Sequence, residues 1–423
     1  MTDQSGPSPF ARRALLFSLL YFSEGAPIGF IWWALPTVLS QRGVSLADTT
    51  ALTATLVLPW TFKFLWAPLV DWLQSPWWHL RHWIVTSQLL MVATLASLLT
   101  LDLGSHLSLI GGILFFHAVA AATQDVSIDA LCIASSHHEE RGRLNGWMQA
   151  GMLLGRSLFG GGSILLIAKF GFRAQVTLLC LATGTTALLL FSSWARDLSW
   201  RSTADFQAQV NESSGENPGG MVRQLMTVLR TPTTWIGLGF ALSAGAGFEA
   251  LGAVQSPLLL QNGFSDEFIG WLLLVPNVGG MMLGSLAGGW LADRWGHRRA
   301  VLFGTVMTGA GVSLVAWALS DPGKAIPVSQ MVSIYIFEAM GVGLLTASSY
   351  ALLMDLAQPP LSATRYSLFM AGTNGCEFWA GLLAGQTIAA RGTIPILGAL
   401  TAVSLGGALT ALLLLRRPAV APG

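Results

Sequence analysis

The residues able to do chemistry in this chain are ionisable side chains set inside runs too apolar to solvate them. Glu24, Lys63, Asp125, Asp129, Arg156, Glu249, Glu338 and Glu377 all interrupt such runs. A charge stranded in hydrocarbon costs on the order of 2.5 to 3.5 kcal/mol, so each one needs a reason. Asp125 and Asp129 are four residues apart and share one helix face, with Gln124 one position round. Two carboxylates that close in oil need not both ionise, and a pair that shares a proton can take one up and release it, as coupling to a proton gradient requires. Lys63 and Arg156 are the cations inside apolar runs, natural partners for those acids or for an anionic cargo. A second reading of the same groups is a permanent salt-bridge network that only holds helices together. Asp129 sits near the end of its run, where an ion pair with Arg141 or Arg143 is an alternative to proton handling. The proton-coupling candidates are therefore Glu24, Asp125, Asp129 and Glu249. Lys63, Gln124 and Arg156 are the substrate-binding candidates, joined by Trp32 and Trp33, whose rings could stack on a sugar.

The elements that must position these groups are membrane helices. Hydrophobic residues make up 53% of the 423-residue chain and charged residues only 10%, where a soluble domain carries roughly 25% charge. Continuously apolar segments of about 20 residues, each long enough to cross the roughly 30 Å hydrocarbon layer, recur about twelve times. They fall at 13–40, 47–72, 82–101, 107–134, 144–168 and 172–195, then at 233–260, 266–292, 300–320, 326–355, 365–390 and 393–415. Helices are favoured over a barrel because the runs do not alternate, and a helix satisfies its backbone internally. The run after Arg12 and Arg13 contains Glu24 and no clear small-residue cleavage pattern, so it is kept as a first span.

The chain also repeats itself. Gln41-Arg42-Gly43-Val44-Ser45 returns as Gln261-Asn262-Gly263-Phe264-Ser265, 220 residues on (41 to 261), and the apolar run after each copy ends in a carboxylate, Asp71 or Asp293. Glu24 and Glu249 hold corresponding places in the two halves, which favours a midline site. The expected organisation is a six-helix bundle over 1–195, a cytoplasmic linker over 196–231 and a second six-helix bundle over 232–423, related by a parallel repeat. Within the linker, Met221 to Arg230 is expected as a short interfacial helix. Of the 22 Lys and Arg, five lie in outer loops (Arg42, Lys169, Arg173, Lys324, Arg391) and two within spans, leaving 15 on the inner side. That bias predicts cytoplasmic termini.

Smaller features are read conservatively. Cys132, Cys180 and Cys376 lie in spans and imply no disulfide framework. Asn211-Glu212-Ser213 matches a glycosylation sequon by chance, on the cytosolic side. His117 is a core histidine before it is a proton relay. His137-His138-Glu139-Glu140 lacks a zinc-protease spacing and is read as solvated loop rather than a metal site. Trp77, Trp78, Trp83 and Trp194 form an interfacial belt, and Gly160-Gly161-Gly162, Gly279, Gly280 and Gly284 serve close helix packing and rocking.

Gly288-Gly289-Trp290-Leu291-Ala292-Asp293-Arg294-Trp295-Gly296-His297-Arg298-Arg299 resembles the loop motif of the major facilitator superfamily. Asp71, Gly289, Asp293, Arg294 and Arg298 are the loop-motif residues, read either as helix-end locks or as a gating latch. The first-half copy, Ala67-Pro68-Leu69-Val70-Asp71, has lost the glycine and the arginine. A narrower resemblance, to the AmpG muropeptide permease and acetyl-CoA transporter family, is carried by Lys63-Phe64-Leu65-Trp66-Ala67-Pro68-Leu69-Val70-Asp71, by Ala122-Thr123-Gln124-Asp125 with Asp129-Ala130, and by Glu139-Glu140-Arg141-Gly142 and Gly155-Arg156. Tyr21-Phe22-Ser23-Glu24-Gly25-Ala26-Pro27 is similar to that family's first-helix pattern. This likeness covers residues 15 to 165; related siderophore permeases share much of it. It implies a secondary transporter and proton symport of a bulky amphiphilic, muropeptide-like metabolite into the cytosol, with siderophore transport and a transporter-like receptor as alternatives. The partners expected are a small-molecule substrate, protons and the bilayer of an inner membrane, with a monomer as the working unit and no nucleic acid. No cofactor or metal is expected. An enzyme is disfavoured because no nucleophile–base constellation and no Gly-Lys-Ser/Thr loop occurs.

Overall fold

The computed structural model describes residues 9–44, 46–75, 77–101, 106–191, 223, 226–320, 326–357 and 361–415. In chain order the helices are α1 Pro9–Gly29, α2 Leu35–Gln41, α3 Leu46–Phe62, α4 Ala67–Trp72, α5 Leu80–Ser97, α6 Leu107–Ser135, α7 Arg141–Phe159 and α8 Gly161–Phe191. The second half continues with α9 Pro232–Ala241, α10 Ala246–Gln261, α11 Asp266–Leu272, α12 Val278–Trp295, α13 His297–Ala318, α14 Val328–Leu356, α15 Ser362–Arg391 and α16 Thr393–Leu414. Most of the expected linker lies outside the described residues, as does Trp194, and so does the sequon.

Prolines set the breaks. Pro36 lacks an N–H and its ring would strike the carbonyl of Trp32, and the chain widens into a π-helical turn over Phe30–Ala34. Pro276 sits inside the matching turn, Leu273–Asn277, which joins α11 to α12. The two copies of the repeat stop their helices in the same way. Gly43 and Gly263 both adopt φ +82°, in the left-handed region that glycine enters without strain. Val44 N–H then donates to Leu39 O at 3.1 Å and Phe264 N–H to Leu259 O at 3.2 Å, closing each helix end as a Schellman motif.

Among the described residues, eight helical stretches are long and apolar enough to cross a membrane: Phe10–Trp32, Leu107–Ser135, Leu166–Leu190, Pro232–Gln255, Glu267–Trp295, His297–Ala318, Val328–Leu356 and Thr393–Leu414. The shortfall from about twelve has a chemical reason. Helix α3 stops at Phe62, leaving Thr55–Leu65 as a shorter apolar stretch. The sequences of α5, α7 and α15 are broken by polar residues such as Gln88, Arg156, Asn374 and Glu377. The chain is an all-α, multi-pass membrane protein.

By contacts it divides into two compact units. Unit 1 contains Met1–His137, Trp147–Met221 and Pro359–Ser367; unit 2 contains His138–Gly146, Val222–Gln358 and Leu368–Gly423. Each unit thus includes a short segment from the other half of the sequence, and α7 and α15 each begin in one unit and continue in the other. In unit 1, buried Phe30, Ile31, Leu56, Leu114 and Val176 form the core, and α1 lies against α7 so closely that a Cβ on Gly25 would collide with the Met152 backbone. In unit 2 the core holds Leu251, Leu259, Leu272, Val312, Tyr335 and Leu397. Its α12 and α14 meet backbone to backbone, with Gly284 against Met340, Gly288 against Leu344 and Gly343 against Met281. Such seams of small residues are how helices gain dispersion energy where lipid removes the hydrophobic drive. Gly279 and Gly162 do not take part, since a Cβ on Gly279 meets nothing within 4 Å and one on Gly162 meets only Ser157 O at 3.9 Å.

Candidate functional site

Unit 1 gathers four of the eight stranded ionisable groups, Glu24, Lys63, Asp125 and Asp129, into one buried cluster. Pro68 is the local cause. It cannot donate to Phe64 O and its ring would strike that carbonyl, so the second span leaves α-geometry at Phe62, makes one 3-10 turn over Lys63–Leu65 and resumes as α4 with the proline in its first turn. The break delivers Lys63, 2% exposed, to α6, where its Nζ donates to Asp125 Oδ2. One turn further along α6, Asp129 accepts a 2.5 Å hydrogen bond from the Tyr21 hydroxyl of α1. Three residues on from Tyr21, Glu24 bonds Trp60 and interacts electrostatically with Asp125, Lys63 and Asp129. Its Oε2 is buried with no hydrogen-bond partner, and so are both amide atoms of Gln124.

Three carboxylates therefore act on the buried Lys63 ammonium, Asp125 by direct contact and Glu24 and Asp129 electrostatically. A dry site that charges all three acids would strand uncompensated charge, so the arrangement can hold protons as well as ion pairs. A hydrogen-bonded layer flanks it, with Gln88 Nε2 donating to Ser23 Oγ at 3.1 Å and to Thr186 Oγ1 at 2.8 Å. Asp129 takes Tyr21, whereas Arg141 and Arg143 hold Asp355 and Asp293, so the end-capping pair expected for Asp129 is replaced by a hydroxyl. Arg156 lies on α7 where its backbone touches Gly29, and is half-buried. Trp32 packs edge-on to Trp60 with ring centres 5.7 Å apart. The Trp33 side chain lies outside the described residues. His117 shares a 2.9 Å hydrogen bond with Thr94 Oγ1 inside unit 1.

The loop-motif carboxylates both act as helix caps. In unit 1, Asp71 accepts from the backbone N–H groups of Ala363 (3.2 Å) and Thr364 (2.8 Å) and from Thr364 Oγ1 (2.7 Å). In unit 2, Asp293 accepts from the N–H groups of Gly142 (2.8 Å) and Arg143 (3.2 Å) and from Arg143 Nε (2.6 Å). A carboxylate on the free N–H groups of a helix start also meets the positive end of its dipole. The motif's own arginines go elsewhere: Arg294 lies over the Trp290 ring at 5.3 Å, and Arg298 Nη2 donates to Leu415 O at 2.8 Å. Gly289 is the contact point for the Gly142 backbone, so its missing side chain is what lets Asp293 reach. Spacing could not reveal Arg143 or Thr364 as partners, because they lie 150 and 293 residues away from the carboxylates they bind.

Glu249 belongs to unit 2. The seventh span is interrupted between α9 and α10, and Glu249 falls in the first turn after the interruption. It lines a small cavity of unit 2, about 50 Å³, with Thr346, Ser349, Tyr350, Thr373 and Cys376. The opened backbone is satisfied by Trp379 Nε1, which donates to Leu242 O at 2.9 Å, and by Ser404 Oγ, which accepts from Gly247 N–H at 2.9 Å. Irregular backbone beside a cavity is a recurrent way for transporters to present polar groups at membrane depth.

Residues 236–423 match the signature of the Major Facilitator Superfamily. The chain is 25% identical over 386 residues to the anhydromuropeptide permease of Escherichia coli, covering 90% of this chain and 75% of that protein. The second half thus carries the Major Facilitator Superfamily signature, and the chain along most of its length resembles the AmpG permeases. It is also 26% identical over 406 residues to a protein of Haemophilus influenzae (93% and 92% coverage), and 22% identical over 386 residues to a Rickettsia felis protein described as transporter AmpG 4 (88% of each). For an AmpG-like transporter the buried cluster of unit 1 and the paired caps are the features to explain.

Proposed function

We propose that this transporter carries a bulky amphiphilic, muropeptide-like solute into the cytosol by proton symport and alternating access, with both termini cytoplasmic. The observation that carries the coupling is the set of Glu24, Asp125 and Asp129 around Lys63, with Glu24 Oε2 left unbonded in a buried site. Such a set changes its proton content when its solvent access changes, because water restores the hydration that ionised carboxylates lack in the closed site. A proton moving down 100 mV supplies about 2.3 kcal/mol, enough for roughly fifty-fold accumulation. The caps supply the moving parts of this reading: Asp71 on the start of α15 and Asp293 on the start of α7 release and re-form as the transporter cycles. The cargo class follows the likeness to the Escherichia coli anhydromuropeptide permease.

The test is uptake of an anhydro-muropeptide into proteoliposomes, with and without an inward proton gradient, in competition with a ferric siderophore. Gradient-dependent uptake blocked by excess muropeptide supports the reading. Competition by the siderophore alone moves the cargo to that class, and binding without uptake makes the protein a receptor.

A further inference from the structure

The loop histidine that sequence spacing assigns to solvent meets two side chains more than a hundred residues away. His138, on the 3-10 turn His138–Glu140, puts Nδ1 2.9 Å from Asp355 Oδ1, near the end of α14. His297, the first residue of α13, puts Nδ1 2.5 Å from Asp355 Oδ2. The two imidazole rings are 4.7 Å apart. All three residues belong to unit 2. We propose that His138, His297 and Asp355 form a binding site for a divalent transition ion of the zinc class.

The donor atoms lie within 4.8 Å of one another, and a tetrahedral ion with bonds of about 2.0 to 2.2 Å needs its ligands roughly 3.3 to 3.6 Å apart. With the His297 side chain held at 3% exposure, the adjustment falls on the Asp355 carboxylate, which must draw back about 1 Å from the 2.5 Å contact with His297 Nδ1 as an ion replaces the shared proton, and on His138, whose 65% exposed side chain has room to turn. That exposure also leaves an open side for the ion to enter and for water to complete its shell. Behind the ligands stands a supporting layer of the kind metal sites use. His297 turns Nε2 toward Asp293 Oδ1 at 3.9 Å, and Asp293 is itself fixed by Gly142 and Arg143. Arg141 Nη1 holds Asp355 Oδ1 at 2.9 Å, leaving Oδ2 to act as a single-oxygen ligand.

Arg141 and Arg143 pair with Asp355 and Asp293, so attraction by the carboxylates alone does not hold a cation here. Affinity must come from bonding to imidazole nitrogen. That excludes magnesium and calcium, which want oxygen shells, and favours zinc and its neighbours.

The experiment uses untagged, full-length protein in detergent, stripped by a chelator, dialysed against Zn²⁺ and assayed for bound metal, with Co²⁺ as a spectroscopic stand-in. Wild type should bind one ion per chain and give the strong visible bands of near-tetrahedral Co²⁺. His138→Ala removes an exposed side chain, so it should elute and unfold like wild type yet lose about 100-fold or more in Zn²⁺ affinity, together with the bands. His297→Gln should do the same to metal binding. His79→Ala with His82→Ala removes the histidine pair of unit 1, whose rings are 5.5 Å apart, and should leave metal binding intact. Absence of saturable binding, unchanged affinity in His138→Ala, or loss of the ion in the unit 1 variant overturns the assignment. None of these readouts depends on the cargo or on proton coupling.

Discussion

Units 1 and 2 share the Gly43/Gly263 turn and a capping aspartate but stabilise the contact between their second and fourth spans by opposite means. In unit 1 the second span is broken by Pro68 and tied to α6 by the buried pair Lys63–Asp125. Moving 222 residues along, the distance from Asp71 to Asp293, Lys63 becomes Ser285 and Pro68 becomes Trp290. Helix α12 accordingly runs unbroken, and Gly284, Gly288 and Gly343 bring it onto α14 at backbone distance. A charge pair in oil is sensitive to protons and a glycine seam is not. The comparison teaches that the two units share the glycine turn and the capping carboxylate, and that they differ in whether a charge pair or a glycine seam joins these two spans.

Breaking the charge pair should give the largest effect. Asp125→Asn removes the carboxylate that Lys63 bonds directly and leaves only the electrostatic partners Asp129 and Glu24, so it should cost up to the roughly 3 to 5 kcal/mol seen when one partner of a buried pair is removed. Proton-driven uptake in proteoliposomes should fall to the level seen without a gradient. Replacing both partners, Lys63→Met with Asp125→Leu, should recover most of the thermal stability in detergent, because apolar replacements remove the desolvation cost of both groups. Uptake should stay independent of the pH gradient. Gradient-driven accumulation in the double variant would show that this pair is scaffold alone.

The seam in unit 2 should respond to volume and be indifferent to charge. Gly284→Val places its Cβ against the Met340 carbonyl, where backbone cannot give way, and should cost about 3 kcal/mol, at the upper end of overpacking penalties. Gly279→Ala, on the same helix but with nothing within 4 Å of the added Cβ, should change the unfolding temperature little. Equal losses at both positions would mean that helix propensity, and not the seam, sets stability there.

What could be read in advance follows from range. The all-helical membrane class is legible because apolar runs and helix hydrogen bonds are both local. The stop at Gly43 and Gly263 is legible because five neighbouring residues make it. Asp125 and Asp129 share a face by helix geometry, and their burial follows from their surroundings. The partners are another matter. Tyr21 meets Asp129 across 108 residues and Thr364 meets Asp71 across 293, and a single sequence carries no signal of such meetings. The same holds for His138, which looks like solvated loop until Asp355 and His297 are brought beside it. Likewise the hydropathy that marks eight stretches as spans fades in α7 and α15, where polar side chains dilute it.

The two caps offer an intermediate test, since here the units match in design and differ in partner. Asp71→Ala removes the acceptor of three hydrogen bonds and Asp293→Ala removes another three. Each should cost about 2 kcal/mol, the top of the range for helix N-caps. Asp293→Ala should cost the more of the two, because it also leaves the Arg143 side chain without its carboxylate. A smaller loss at Asp293 than at Asp71 would put the weight on Thr364 Oγ1 instead.

The smallest effect should come where the units are alike. At Gly43 and Gly263 an added Cβ meets nothing within 4 Å, and both have φ +82°. Gly43→Ala and Gly263→Ala therefore test backbone strain alone, about 1 kcal/mol for an L-residue forced into the left-handed region. The losses should be equal, since the Val44 and Phe264 closures differ only in side chain. Asparagine, which tolerates that region better than alanine, should restore part of the loss at both sites. Unequal penalties measured by thermal unfolding would mean that the shared turn carries a load in one unit that it does not carry in the other.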